Sequence, residues 1–318
     1  MGKRAAKWRA AIVGCGKIAG GYDRPGRDKH LVRTHVRAYR SEPRFSLVAC
    51  CDRKYAKARA FARDWNISWA FDDLGAMVRA ERPNVVSVCV STRAHETILA
   101  RLTQLPIQLV FAEKPFTANV AAARGLLAAF RKKRIAVAVN YLRRWCPNHR
   151  TVADWIQSGK LGRVVQMEGR YSGGLWNMGS HLVDLMLWFG GAPRRILRGP
   201  HRPIRDDVRA AGEIEFRDGA RGLLRPVHGE AFDLLILLER GFIEIRRFGY
   251  EGRAVRLAAG RAKTVFKFAP PARGIDSALA RAAENLADHL ESGEELLCSG
   301  DDALETLKVC EALAQTRR

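Results

Sequence analysis

Apolar and polar positions change their rhythm about halfway along the chain. In the first half, short continuous apolar runs alternate with longer stretches of helical period. Trp8–Gly14 and Phe45–Asp52 read as the first two strands and Ala70–Asp72 as a short third. Asn84–Ser91, Leu109–Ala112 and Ala136–Tyr141 complete the series. A run such as NVVSVCVS, apolar at consecutive positions, suits a parallel strand covered on both faces. Arg53–Trp65, Asp73–Glu81, Arg93–Gln104 and Asn119–Arg134 repeat apolar residues at helical spacing between the strands. Strands alternating with helices of about 10–15 residues predict βαβ units and a parallel sheet.

The second half is dominated by strands. Val164–Tyr171, Ala210–Phe216, Gly222–Val227, Phe232–Leu238 and Phe242–Phe248 are expected, with Ala254–Leu257 and Thr264–Phe268 after them. Helices are expected near Asn148–Ser158, Gly179–Phe189, Ile275–Glu291 and Gly300–Gln315. Neighbouring strands joined by short turns predict a large, mostly antiparallel open sheet. The expected fold class is therefore α/β followed by α+β. The expected domains are residues 1–141 and 142–318, the last helices being able to pack back on the first domain.

Charge complicates this picture. The 318 residues hold 55 Lys and Arg against 33 Asp and Glu, a formal net charge of +22. Such a balance invites a nucleic-acid or membrane partner. The basic residues are spread from Arg4 to Arg318, however, and no helix-turn-helix, zinc-finger or basic-arm pattern accompanies them. A solvated basic surface is the expected reading, with no nucleic-acid partner. No apolar run reaches the ~18–20 residues of a membrane span. The basic N-terminus leads into an apolar piece too short for a signal peptide, broken by Gly14, Gly16 and Lys17. The 7 cysteines form no C-x-x-C pair and several sit in apolar strands. They read as reduced core residues of a cytoplasmic protein, and no metal site is expected.

The chemistry begins where the first strand ends. Gly14-Cys15-Gly16-Lys17-Ile18-Ala19 is a G-x-G-x-x-A turn between a strand and a helix. The first glycine allows the tight turn, the second lets backbone amides approach a pyrophosphate, and the small third residue lets helix and strand pack closely. This makes the first domain a Rossmann dinucleotide site. Asp52 ends the second strand, where a carboxylate accepts hydrogen bonds from the adenosine ribose. That favours NAD, because a 2′-phosphate would be repelled; Arg53 and Lys54 follow at once and can offset the repulsion to seat NADP. The gap between Gly14 and Asp52 is widened by Gly20–Thr34, a Gly-rich charged insertion. Its Tyr22, Arg24, Arg27 and His30 are placed either to reach ligand or to form a surface loop without a role.

Three further segments resemble those of a known family. Glu113-Lys114-Pro115 follows the strand LVFA; Ser91-Thr92-Arg93-Ala94-His95 follows NVVSVCV; and Asn177-Met178-Gly179-Ser180-His181-Leu182-Val183-Asp184 lies in the second domain. In order and spacing along nearly the whole chain they resemble the E-K-P, cofactor-turn and D-x-G-x-H-x-x-D segments of the glucose–fructose oxidoreductase / inositol dehydrogenase / MocA (Gfo/Idh/MocA) family. Cys298–Ala303 also resembles the start of that family's final helix. The resemblance implies a Rossmann domain, a substrate-carrying open sheet, a nicotinamide cofactor, and chemistry on a sugar, polyol or nucleotide sugar. It also implies a homo-oligomer, a dimer or tetramer, formed through that sheet. Ser91, Thr92, His95, Glu113 and Lys114 then join Gly14, Gly16, Lys17, Ile18, Ala19, Asp52 and Arg53 as expected cofactor contacts.

Oxidising an alcohol needs an acid/base near neutral pKa and a cation for the developing alkoxide. Lys114, at the carboxyl end of a parallel strand, can hydrogen-bond the reacting oxygen, with Glu113 orienting it and Pro115 fixing the turn, in cis if the turn requires it. His181, at a helix start, can take the hydroxyl proton or return it. Asp184 lies three residues on, sharing the helix face and suited to orienting helix or ring. Asn177 stands where the resembling segment has Asp; it can bind a hydroxyl but cannot act as a base, so proton transfer falls to His181 with Lys114. Arg143 and Arg144 end the last Rossmann strand and can hold an anionic substrate group or form a salt bridge between the domains. Trp176 and Tyr171 can wall a sugar face or pack in the core. Two other functions fit the same fold: an NAD-dependent glycoside hydrolase using transient oxidation, and a non-catalytic nucleotide-binding or regulatory protein.

Overall fold

The computed structural model describes residues 8–23 and 31–315. Their contacts divide the chain into two units, Met1–Trp145 with Asp276–Leu304, and Cys146–Ile275 with Glu305–Arg318.

The first unit is built on six parallel strands: β1 (Trp8–Val13), β2 (Phe45–Cys51), β3 (Trp69–Phe71), β4 (Val85–Val88), β5 (Leu109–Ala112) and β6 (Ala136–Val139). Their order is β3-β2-β1-β4-β5-β6. The apolar runs are what such a sheet needs, since Ala10–Val13, Val85–Val88 and Leu109–Ala112 are buried throughout. Helices α1 (His35–Ser41), α2 (Tyr55–Asp64), α3 (Leu74–Glu81), α4 (Thr92–Leu102) and α5 (Val120–Lys132) connect them. The chain runs outward in one direction from β1 to β3 and in the other from β4 to β6. The switch between β1 and β4 leaves a crevice outside their carboxyl ends, the place where open α/β sheets bind ligands.

One expected element differs. The glycine turn does not open a long helix. It enters a five-residue π turn, Lys17–Gly21, and the α-helical path starts only at His35. The insertion separates the two pieces, and its ends are tied where Asp23 accepts hydrogen bonds from the Arg33 backbone N–H (2.8 Å) and Arg33 Nε (3.2 Å). Arg24, Arg27 and His30 lie outside the described residues.

The second unit starts with α6 (Pro147–Gln157). Its eight-stranded sheet comprises β7 (Val164–Tyr171), β8 (Pro193–Ile204), β9 (Asp207–Phe216), β10 (Arg221–Pro226), β11 (Phe232–Leu238), β12 (Gly241–Arg246), β13 (Glu251–Ala258) and β14 (Arg261–Lys267). The order is β14-β13-β12-β11-β7-β10-β9-β8, antiparallel except for the β7–β10 pair. The buried-in, half-exposed-out alternation of β11 shows one face packed and one facing away. Helix α7 (Ser180–Gly190) fills the packed face with Leu182, Leu185 and Met186. Strand β8 was not expected from its sequence, because Pro193, Pro200 and Pro203 disfavour a ladder. It forms at the sheet edge, where a missing N–H is tolerated, and its register shifts around Pro200. The chain ends in α8 (Ala278–Ser292) and α9 (Gly300–Ala314). Among the described residues no helix is long and apolar enough to cross a membrane, and all 7 cysteines are free and buried.

Candidate functional site

At the switch point of the first sheet lies a cavity of about 700 Å³. Gly14 and Gly16 follow β1, Asp52 and Arg53 follow β2, and Cys89–Ser91 follow β4; all line it. Gly14 has φ +92°, and a Cβ there would meet the Cys89 carbonyl oxygen at 2.6 Å and the Val90 nitrogen at 2.8 Å. No heavy atom comes within 4 Å of a Cβ built on Gly16. One glycine thus closes the turn against β4, and the other leaves room over its backbone for a ligand. This cradle fits a dinucleotide: a Cβ at Gly16 would enter the space a pyrophosphate needs.

Asp52 is held by three donors. Its Oδ2 accepts from the Cys15 N–H (3.0 Å) and Lys57 Nζ (2.7 Å), and its Oδ1 from the Lys54 N–H (3.1 Å). Burial opposes its charge, but the Lys57 ammonium and the two amides hold the carboxyl below its usual range. Ser91 precedes α4 and makes no side-chain cap bond to it, so its hydroxyl stands at the cavity without that duty.

Beyond β5, the Glu113–Lys114–Pro115 turn is fastened from below. The Glu113 N–H donates to the Val88 carbonyl (3.0 Å), and the Lys114–Pro115 peptide is cis. Glu113 Oε1 meets His35 Nε2 at 3.0 Å and accepts from Asn140 Nδ2 at 2.7 Å. His35 Nδ1 lies 2.9 Å from Ser87 Oγ, itself 2.7 Å from the Tyr39 hydroxyl. Tyr39, Ser87, His35 and Glu113 thus form one continuous chain of hydrogen bonds beneath the turn, whose last link can be a donation from His35 Nε2–H to the carboxylate. Burial pushes the Glu113 pKa up, but the His35 and Asn140 bonds and the Lys114 charge outweigh it and keep the group ionised. Lys114 is thereby set beside a fixed anion at the end of a buried strand.

In the second unit, Leu175–Gly179 is a π turn leading into α7. Asp207, at the start of β9, fixes it by accepting from the Trp176 and Asn177 amides, each at 3.0 Å. Asn177 is exposed and His181 half-buried, one turn apart. The His181 ring lies edge-on to Phe232, with centroids 6.4 Å apart. Phe232 in turn stacks near Phe248 (6.1 Å, 19°). These two phenylalanines, with Asp233 and Arg246, line a second cavity of about 650 Å³. Phe232 is fully buried beneath this cavity, and the partly buried Phe248 is the ring that can meet a ligand there, beside carboxylate and guanidinium groups.

The sequence of the first unit matches known proteins. Residues 8–141 fit the model of a family described as an oxidoreductase family with an NAD-binding Rossmann fold. Over these residues the chain is similar to the Gfo/Idh/MocA oxidoreductase family. It is similar to D-apiose dehydrogenase of Paraburkholderia graminis, 24% identical over 156 residues, 49% of this chain and 38% of that protein. It is also similar to D-glucoside 3-dehydrogenase of Escherichia coli, 26% identical over 206 residues, 58% of this chain and 54% of that protein. The chain thus spans about half or less of these relatives. Among solved structures, the fold is that of an oxidoreductase from Agrobacterium radiobacter in complex with NAD+, L-tartaric acid and magnesium (TM-score 0.80, 16% identity, covering 96% and 95% of the two chains). A 3-ketoreductase from Actinomadura kijaniata, in complex with NADP and TDP-benzene, gives a TM-score of 0.77 at 19% identity, covering 96% of each chain.

The expected site residues part into groups. Gly14, Gly16, Asp52, Arg53 and Ser91 share the first cavity. Lys17, Ile18, Ala19, Thr92, Glu113 and Lys114 are not among its lining residues. Ala19 is fully buried, as its packing role requires. His95 is buried with its ring nitrogens on the Phe116 and Val90 carbonyls (3.2 and 3.3 Å), so it braces two turns rather than reaching a cofactor. Arg143 and Arg144 are buried, and Arg144 pairs with Asp302 at 2.9 Å inside the first unit, not across a domain boundary. Asp302 also accepts from the hydroxyl of Ser299 (2.6 Å), the residue just before α9. Asp184 is buried and accepts from Thr306 Oγ1 at 3.4 Å, which makes it an anchor for α7. The Tyr171 hydroxyl is bonded to the Ala210 carbonyl at 2.8 Å; it packs in the core, while Trp176 is half-buried. Sequence reasoning missed His35, Asn140, Lys57 and Asp207. Only Lys57 carried a signal, lying one helical turn beyond Arg53 in the expected second helix.

Proposed function

We propose that the chain is an NAD(P)-dependent oxidoreductase that moves hydride between nicotinamide and a hydroxyl or carbonyl carbon of a sugar, polyol or nucleotide sugar. The observation that carries this reading is the paired-glycine cradle with Asp52 at the switch point of a parallel sheet. It is supported by the relatives, two of which are named for oxidation of a sugar, and by the 3-ketoreductase of like fold. Bound nicotinamide supplies the hydride acceptor or donor. In the oxidising direction the substrate carbon loses hydride, its oxygen loses a proton, and the C=O bond forms from the electron pair left behind. Lys114 donates a hydrogen bond to that oxygen and stabilises its negative charge, and ionised Glu113 keeps the ammonium in place. His181 takes the proton; Asn177 holds a hydroxyl without taking part in proton transfer. Phe248 carries the apolar face of the ring, backed by the buried Phe232. Residues 1–141 serve the cofactor, 142–318 serve the substrate, and the open sheet of the second unit forms a homo-oligomer.

The test is Lys114→Ala against a panel of sugars and nucleotide sugars, read by nicotinamide absorbance. Turnover should fall by at least about a hundredfold. NAD(P)H binding, read by fluorescence, should persist. Full turnover in that variant would remove Lys114 from the reaction.

A further inference from the structure

The carboxylate that ends β2 ordinarily selects against a phosphate on the adenosine ribose. In this chain its charge is already answered. Lys57 Nζ sits 2.7 Å from Asp52 Oδ2, which also accepts the Cys15 amide, while the Lys54 amide occupies Oδ1. Three of the roughly four acceptor positions of a carboxylate are filled, which leaves little for two ribose hydroxyls. The Lys57 ammonium has three donors and spends one on Asp52.

Arg53 comes next in the chain, is exposed, and lines the same cavity. It makes no ion pair among the described residues. Arg101, another basic lining residue, is engaged by Asp73 at 2.6 Å. Asp52, Arg53 and Lys57 together carry one net positive charge at the end of β2, and the same cavity is lined by Asp72 just after β3 and by Arg93 on α4. Two cations beside one neutralised carboxylate suit a phosphate monoester dianion better than a bare diol.

We propose that Lys57 and Arg53 form a 2′-phosphate subsite and that the protein takes NADP(H) in preference to NAD(H), reversing the expectation from Asp52 alone. The proposal rests on the cavity being the dinucleotide site. Lys57 acts twice there, by cancelling the repulsion from Asp52 and by donating to the phosphate.

Binding of NADPH and NADH to the purified full chain, titrated by nicotinamide fluorescence with no substrate present, tests it. NADPH should bind about tenfold or more tightly than NADH, as expected for charge-assisted hydrogen bonds at a partly exposed site. Its affinity should also fall more steeply with added salt. Lys57→Met should weaken NADPH by about tenfold and NADH by less than about threefold, and retained NADH binding certifies the fold of the variant. Arg53→Ala should act in the same direction. Tighter binding of NADH by the unaltered protein, or equal loss of both dinucleotides in Lys57→Met, overturns the subsite and leaves the dinucleotide cavity standing. Binding of neither dinucleotide overturns both.

Discussion

Gly14 and Gly16 stand two residues apart in one motif, yet they should fail in different ways. Gly14→Ala places a methyl 2.6 Å from the Cys89 carbonyl oxygen and 2.7 Å from its carbon, both backbone atoms at the end of β4. Neither can swing aside as a side-chain tip would. The residue also sits at φ +92°, which costs an L side chain about 1–2 kcal/mol. Forcing the methyl into a packed site adds about 1–3 kcal/mol. A loss near 3 kcal/mol is a large share of a typical stability of about 5–15 kcal/mol. Gly16→Ala meets nothing within 4 Å, and its φ of −94° is open to any residue. Its stability should change by less than about 0.5 kcal/mol, as for substitutions away from packed features. Its methyl, however, enters the space reserved for the pyrophosphate. Urea unfolding and NAD(P)H fluorescence, applied to both variants, separate the effects. Gly14→Ala should shift the unfolding midpoint down; Gly16→Ala should keep the midpoint and lose at least about tenfold in dinucleotide affinity. A Gly16→Ala protein that binds as well as its parent would refute the cradle, and an undiminished midpoint in Gly14→Ala would refute the packing argument.

Two further outcomes follow from groups around the site. Asp207→Ala removes the acceptor shared by the Trp176 and Asn177 amides, so stability should fall by about 1–2 kcal/mol in urea unfolding. Turnover should fall with it, because the turn that carries Asn177 into α7 loosens; unchanged values for both would show that the turn holds itself. Stability should fall with acid along two limbs. Burial lowers the pKa of His95 in the fold, so the unfolded chain gains the proton first and stability declines as pH falls below the ordinary value of 6.5. Glu113 is also lowered, despite its burial, by its bonds to His35 and Asn140, so its contribution is intact above the ordinary 4.5 and is lost as pH falls through the folded value. Thermal unfolding followed from about pH 8 to about pH 3 should show both limbs, and His95→Gln should flatten the upper one.

Consecutive apolar positions announced the parallel sheet, because a strand buried on both faces has no polar side to alternate with. The glycine motif announced the cavity for a related reason: its residues are neighbours in sequence, and their chemistry is local. The His35–Glu113–Asn140 cluster was hidden because it assembles three strands' worth of distance. His35 follows an insertion, sits in a seven-residue helix too short for a periodic signal, and meets Glu113 across 78 positions. Asp207 was illegible for the same cause, lying 31 residues from the turn it caps. Tyr171 and Asp184 were open in the sequence between a site role and a structural one. Both are residue types that line active sites, and only burial with a bonded partner, Ala210 for one and Thr306 for the other, shows that their polar groups serve the core.

Placement also decides what the charge of +22 means. Many arginines answer a nearby carboxylate: Arg9 with Glu81, Arg44 with Glu42 and Asp288, Arg163 with Glu239, Arg253 with Glu244. Others stand on the two edges of the eight-stranded sheet, Arg194, Arg195 and Arg202 on β8 and Arg261, Lys263 and Lys267 on β14. An edge strand exposes unpaired amides and carbonyls to any other strand, and a row of like charges discourages that pairing between copies. Neither use concerns a ligand. A cation bears on function only where a low-dielectric wall and a site of opposite need adjoin it, since elsewhere salt screens it within about 8–10 Å. Arg53 and Lys57 meet that condition at the rim of the glycine cradle, two charges whose location outweighs the excess carried by the rest of the surface.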